Sequence, residues 1–185
     1  MENRKVENYV DMALYYARMD AVYKDYMIAE SNLQEVAQQV LLQNKYYLIQ
    51  SHVKAEVACP DTVYSDKKWI AFILNQLIQN SVKYGRSEGT HIQIVTKKTK
   101  RGVLLRVKDD GIGIPKEEIP RIFEKGFTGT NGRNRERSTG MGLYLCRKLC
   151  DKLNIEIRAE SAEGKGTEII LMFPVSEYLT GYRET

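Results

Sequence analysis

Apolar residues recur at helical spacing over residues 6–22, at Val6, Tyr9, Val10, Ala13, Leu14, Ala17 and Ala21, which predicts one long amphipathic helix. A second helix is announced by Ser31 with Gln34 three residues on, a capping-box spacing, and Leu33, Val36, Ala37, Val40 and Leu41 supply its apolar face. Residues 52–57 then alternate polar and apolar, as a half-buried strand does. Ser65 and Asp66 can cap a third helix running to about Tyr84, with Trp69, Phe72, Ile73, Leu77 and Ile78 on its buried face and Gly85 as its stop. Residues 92–95 and 103–107 read as two strands joined by the polar turn 98–102, a hairpin.

From Asp109 to Gly142 glycine is dense and hydrophobic periodicity is weak. A loop of that length inside a compact domain is a functional lid or a disordered segment. Beyond it residues 141–153 read as helix, and the segments around 155–157 and 169–173 read as strands flanking the turn 163–166. Helix and strand periods together predict an α/β sandwich with helices on one face of a mixed sheet. The one candidate boundary is the polar stretch around residues 24–32.

Composition narrows the function classes. A chain of 185 residues holds one sizeable core plus an appendage, and 43% hydrophobic with 28% charged residues is the balance of a globular fold. A net charge of +4 is too small to argue for nucleic acid, so any basic patch serves a small anion. Cys59, Cys146 and Cys150 show neither metal-ligand spacing nor a disulfide framework and read as reduced, buried thiols. No apolar run approaches a membrane span and no signal-peptide core opens the chain, so the piece is expected to be soluble.

Four segments bear on one ligand. At the end of the third helix, Asn80 and Lys83 share a face with Gln76 one turn earlier; an amide oxygen suits Mg²⁺ and an ammonium suits phosphate, although alone the segment reads as an ordinary amphipathic helix. Asp109-Asp110-Gly111-Ile112-Gly113 follows a strand, where a carboxylate can accept from an exocyclic amine and the glycines let backbone approach a planar ring. The alternative of a calcium loop lacks the further acidic ligands it would need. Phe123 and Phe127 are aromatics inside the polar lid, either a satellite core or an anchor that docks when a ligand orders the loop. Thr139-Gly140-Met141-Gly142-Leu143 opens a helix, where free N–H groups and the positive dipole end make a ready phosphate site.

In this order the segments resemble the N box, first glycine box, F box and second glycine box of the GHKL superfamily (gyrase, heat-shock chaperone, histidine kinase, mismatch-repair protein), and within it the sensor histidine kinases. The resemblance covers about residues 50–175 and implies the two-layer Bergerat ATP-binding sandwich preceded by an N-terminal helical segment. It implies Mg²⁺ on Asn80, a phosphate contact at Lys83, and an adenine site walled by Tyr84, read by Asp109 and shaped by Gly111 and Gly113. Phe123 and Phe127 match the F box, while residues 139–143, with Gly140 and Gly142 foremost, would bring backbone amides to the phosphates. Ser138 departs from the glycine common in the second glycine box, and Arg133, Arg135 and Arg137 are equal candidates for the γ-phosphate.

The domains implied are residues 1–30 as the end of a dimerisation and phosphoacceptor helix with linker, 31–178 as catalytic domain and 179–185 as tail. The activity implied is transfer of the γ-phosphate of Mg-ATP to a histidine of the phosphoacceptor domain, whose acceptor histidine this chain lacks. A response regulator would receive the phosphate, and the whole would be a membrane-anchored homodimer with this part cytoplasmic and no nucleic acid involved. The wording of the boxes is most similar to kinases that work beside antibiotic-peptide transporters in Gram-positive bacteria. Rivals are an anti-sigma-type serine kinase, which generally lacks the F box, and an ATP-hydrolysing clamp, which would place a basic Glu where Gln76 stands.

Overall fold

The computed structural model describes residues 26–130 and 139–175. The helix expected over residues 6–22, the lid residues Ser138, Arg133, Arg135 and Arg137, and the tail lie outside the described residues. Strands β1 (Ala29–Asn32), β2 (Val53–Ala58), β3 (Thr62–Ser65), β4 (Thr90–Thr99), β5 (Gly102–Asp109), β6 (Glu156–Ser161) and β7 (Thr167–Pro174) alternate with helices α1 (Leu33–Gln43), α2 (Lys45–Gln50), α3 (Lys67–Lys83) and α4 (Gly142–Lys152).

Five strands form one sheet in the order β2-β4-β5-β7-β6. Only β2 and β4 run parallel, because the chain between them crosses over through α3; the other neighbours are antiparallel. Alternate residues of the central strands, Ile92 and Ile94 on β4, Leu105 and Val107 on β5, Leu171 and Phe173 on β7, are buried on one face. They form one core with Val36, Ala37 and Val40 of α1, Ile70, Ile73, Leu74 and Ile78 of α3, and Leu145 and Leu149 of α4. The expected two-layer sandwich is therefore the observed one. Cys146 and Cys150 are small hydrophobes of the same core, and burial pushes the Cys150 thiol up to about 12.

Two helix starts differ from the sequence reading. Ser31 does not cap α1: it lies in β1, opposite Val63 of β3, and its hydroxyl donates to the Ser65 carbonyl at 3.1 Å. The cap is Asn32, whose side-chain oxygen accepts from the Glu35 amide at 3.2 Å, so the capping spacing is met one residue later. Ser65 likewise belongs to β3, and Asp66 alone caps α3, accepting from the Lys68 and Trp69 amides through Oδ1 and from the Met27 amide through Oδ2. The end of α3 is also decided differently. Tyr84 is its C-cap, and Gly85 is needed for room, since a Cβ there would stand 2.3 Å from Thr90 Oγ1.

Candidate nucleotide site

The sheet register brings the site together. Asp109 ends β5 at the middle of the sheet, opposite Ile92 of β4 on one side and Thr167 of β7 on the other. Above it runs the last turn of α3, and beside it the chain from Asp110 turns out into the lid. Between them lies a cavity of about 110 Å³. Leu77, Asn80, Ser81 and Tyr84 of α3 line it, with Val107, Asp109 and Ile169 as its floor and Ile114, Ile122, Phe127 and Leu143 closing it. A mostly apolar slot with few polar groups is the form of a site for a planar ligand.

Asp109 is the polar focus. Its Oδ1 accepts from the amides of Gly111 at 3.0 Å and Thr167 at 3.1 Å, and its Oδ2 accepts from the Ser81 hydroxyl at 2.8 Å. Burial pushes its carboxyl above the usual carboxylate value; the bonds from Ser81, Gly111 and Thr167 pull it back, and the neighbouring charge of Asp110 adds to the rise. A carboxylate oxygen has room for two acceptor contacts, so Oδ2 retains one for a donor in the cavity.

The glycines have separate tasks. A Cβ at Gly111 would meet the Tyr84 carbonyl at 2.6 Å, because the loop folds back onto α3 and the Ile112 amide donates to that same carbonyl at 3.0 Å. Gly113 lines the cavity with φ +71°, and a Cβ there would stand 2.0 Å from the Ala162 carbonyl oxygen. The left-handed conformation alone costs an alanine about 1–2 kcal/mol, and the clash with backbone adds to it. Gly113→Ala should therefore lower Tm by roughly 4 °C or more. A melting curve unchanged from the parent would refute that account of the turn.

Of the positions singled out in the sequence, Asn80, Tyr84, Asp109, Gly113, Phe127 and Leu143 line the cavity. Lys83 is on the turn of α3 beside the mouth, its Nζ 5.4 Å from the centre of the Tyr84 ring. Phe123 and Phe127 both pack against the core, and the Phe127 ring also lies 4.6 Å from the Arg121 guanidinium. Gly140 has φ +65° and touches the F-box turn: its carbonyl accepts from the Gly126 amide at 3.1 Å, and a Cβ would be 2.3 Å from the Gly126 carbonyl carbon. Gly142, the first residue of α4, abuts the Gln76 side-chain oxygen, and Met141, whose amide donates to the Thr139 hydroxyl at 3.4 Å, is the N-cap residue. No side chain caps α4, which leaves its first amides free to face an anion.

Three contributors escape a reading of the sequence alone. Ser81 stands inside the quoted helix segment but has no signal of its own. Thr167 is recognisable only from its place after the Gly164-Lys165-Gly166 turn. Glu118 lines the cavity and accepts from the Thr130 amide at 2.8 Å and hydroxyl at 2.6 Å, so it fastens the start of the lid. Among the described residues no group of three or more His, Cys, Asp or Glu could hold a metal ion, so a cation here would rest on Asn80 and on ligand oxygens.

A sandwich whose β5 carboxylate faces a slot beneath a helix, with glycine turns on either side and an uncapped helix start, is the architecture of the histidine kinase-, DNA gyrase B- and HSP90-like ATPases; the family model of that description matches residues 65–177. The chain belongs to that family. It is 34% identical over 174 residues to the sensor histidine kinase YxdK of Bacillus subtilis (strain 168), covering 93% of this chain and 54% of YxdK. It is 36% identical over 176 residues to the sensor protein kinase GraS of Staphylococcus aureus (strain JH1), covering 92% of this chain and 49% of GraS. The chain thus spans about half the length of the curated relatives it matches. The catalytic domain of histidine kinase ThkA matches with a TM-score of 0.68 at 26% identity, over 80% of this chain and 97% of that domain. ThkA in complex with response regulator protein TrrA matches with a TM-score of 0.69 at 22% identity, over 94% of this chain and 50% of that one.

Proposed function

We propose that this domain binds Mg-ATP and donates the γ-phosphate to a histidine on the phosphoacceptor domain of a two-component sensor kinase. The observation that carries the reading is the half-buried Asp109 carboxylate, anchored through Oδ1 to two backbone amides and left with acceptor capacity at Oδ2 inside an apolar slot. An exocyclic amine of adenine fits that acceptor, with Tyr84 as a wall and Gly111 and Gly113 allowing the backbone close approach. The Asn80 amide oxygen is suited to Mg²⁺, which when bound would neutralise phosphate charge. Lys83 and the amides of residues 139–143 would receive the phosphates at the mouth. Phe123 and Phe127 hold the start of the lid beside that mouth.

Transfer to histidine is favoured over hydrolysis because Gln76, one turn before Asn80, is an amide without useful basicity. A neutral imidazole is already a nucleophile and needs no base of that kind. The acceptor domain would reach this one through residues 1–30, with residues 31–178 as the catalytic domain and 179–185 as a tail. The whole protein would be a membrane-anchored homodimer signalling to a response regulator; the response regulator bound in the ThkA complex supports the last of these. Among the described residues no helix is long and apolar enough to cross a membrane, so an anchor would lie elsewhere in the protein.

The testing experiment is a nucleotide titration with and without Mg²⁺. The parent chain should bind ATP more tightly with the metal. Asn80→Ala, which removes one oxygen ligand from a part-buried turn of helix at the cavity, should fold, retain weak ATP binding and lose the magnesium response. A response equal to the parent's would exclude Asn80 as the ligand.

A further inference from the structure

Ser81 has a place in the site that the reading above leaves unused. It lies next to Asn80 on α3, is 5% exposed, lines the cavity, and puts its Oγ 2.8 Å from Asp109 Oδ2. A serine hydroxyl has one proton and two lone pairs. Because Asp109 is acceptor-only when ionised, that proton is committed to Oδ2, and the hydroxyl can offer the cavity nothing but lone pairs. Where these two side chains meet, two acceptors stand side by side in the slot, Asp109 Oδ2 and Ser81 Oγ. An amino group on a purine presents donors to such an edge, whereas a carbonyl at the same ring position presents a third acceptor and is repelled.

The geometry points to Ser81 as a positioning and specificity-determining residue: its hydroxyl fixes the Asp109 carboxylate as an oriented acceptor and makes the base subsite take an amino-purine and reject an oxo-purine. This deepens the nucleotide reading proposed above and rests on it. Two further observations agree. Oδ1 is already held by the amides of Gly111 and Thr167, so the Ser81 contact completes the fixing of the carboxylate from the opposite side. Burial pushes the Asp109 carboxyl up, and the bond from Ser81 is the foremost influence opposing it.

The other charged groups nearby have their own engagements. Asp110, which adds to the rise, accepts from the His91 amide at 2.8 Å. His91 pairs with Glu56 at 3.2 Å, Arg86 donates to the carbonyls of Asp110 and Gly164, Glu118 holds Thr130, and Lys83 lies over Tyr84.

The test is titration of the chain with ATP and with GTP from acid to neutral pH, for the parent, Ser81→Ala, Asp109→Asn and the double variant. Alanine suits the helix interior, and a melting curve accompanies each variant. Ser81→Ala should weaken ATP binding roughly fivefold at neutral pH, the usual size of one hydrogen bond. It should also narrow the preference for ATP over GTP by a similar factor. The acid limb of ATP binding should move to higher pH, because a carboxylate that loses a donor takes up its proton sooner. In the Asp109→Asn background the same substitution should change ATP affinity by less than about twofold. An unmoved acid limb with an unchanged ATP-to-GTP ratio overturns the inference, and so does an equal loss in both backgrounds, which would make Ser81 a packing residue only. A parent chain that binds neither nucleotide overturns the nucleotide reading itself, a result the variants cannot imitate.

Discussion

Asp109→Asn is expected to weaken ATP binding by about 1.5–3 kcal/mol, the range of a charge-assisted hydrogen bond, or roughly ten- to a hundredfold. The side chains match in size, so the loss follows from hydrogen-bond polarity. The carboxylate offers acceptors on both sides: Oδ1 faces the Gly111 and Thr167 amides, and Oδ2 faces Ser81 and the cavity. An asparagine has one acceptor and one donor end. With its oxygen kept on the two amides, its NH₂ faces the cavity and meets an adenine amine donor to donor.

The pH dependence has a definite sign. Burial holds the Asp109 carboxyl above the ordinary carboxylate value, and only the ionised form presents an acceptor at Oδ2 without a competing proton. ATP affinity of the parent should therefore fall as pH is lowered through that raised value, whereas the asparagine variant should lack this limb. Calorimetry across pH measures both effects. An asparagine variant that binds as the parent does would remove Asp109 from the adenine site.

The second large effect is all-or-none. Incubated with γ-labelled ATP, the chain alone should remain unlabelled, while a separately supplied phosphoacceptor domain of the same kinase should acquire acid-labile, base-stable label. The chain has two histidines, and neither is placed as an acceptor. His52 follows Ser51, the C-cap of α2, at φ +53°, and its carbonyl accepts from the Thr90 amide. His91 is in β4 with its ring against Glu56 and its amide bound to Asp110. Neither stands on a helix with an acidic residue directly after it, the setting that would orient an imidazole for attack. Label on His52 or His91 would overturn this account. Transfer of the label to water alone would instead revive the hydrolysing clamp, against the amide at Gln76.

Most of the architecture was legible because it depends on local periodicity. The apolar spacing of α3, the alternation along β4 and β5, and the glycines flanking Asp109 and opening α4 each report a residue's own environment through its immediate neighbours. The errors came where two local signals competed. Ser31-Gln34 and Asn32-Glu35 both satisfy the capping spacing, and pairing of β1 with β3 decided for the second by drawing Ser31 into a strand. Strands of four residues such as β1 and β3 carry too few alternations to be read at all.

The sequence by itself determined the longer helices and the strands of the main sheet, the ordered boxes and the identity of Asp109 as the carboxylate to watch, since side-chain type and spacing are properties of the chain alone. Only the tertiary structure decided what surrounds that carboxylate. Ser81 and Thr167 reach it across 28 and 58 residues, and Gly140 meets Gly126 through backbone atoms that no residue type announces. Those contacts follow from sheet register and helix docking, which maximise burial over the whole core, so their hydrogen-bond partners are fixed by where the backbone ends up in space and not by the spacing of the residues that make them.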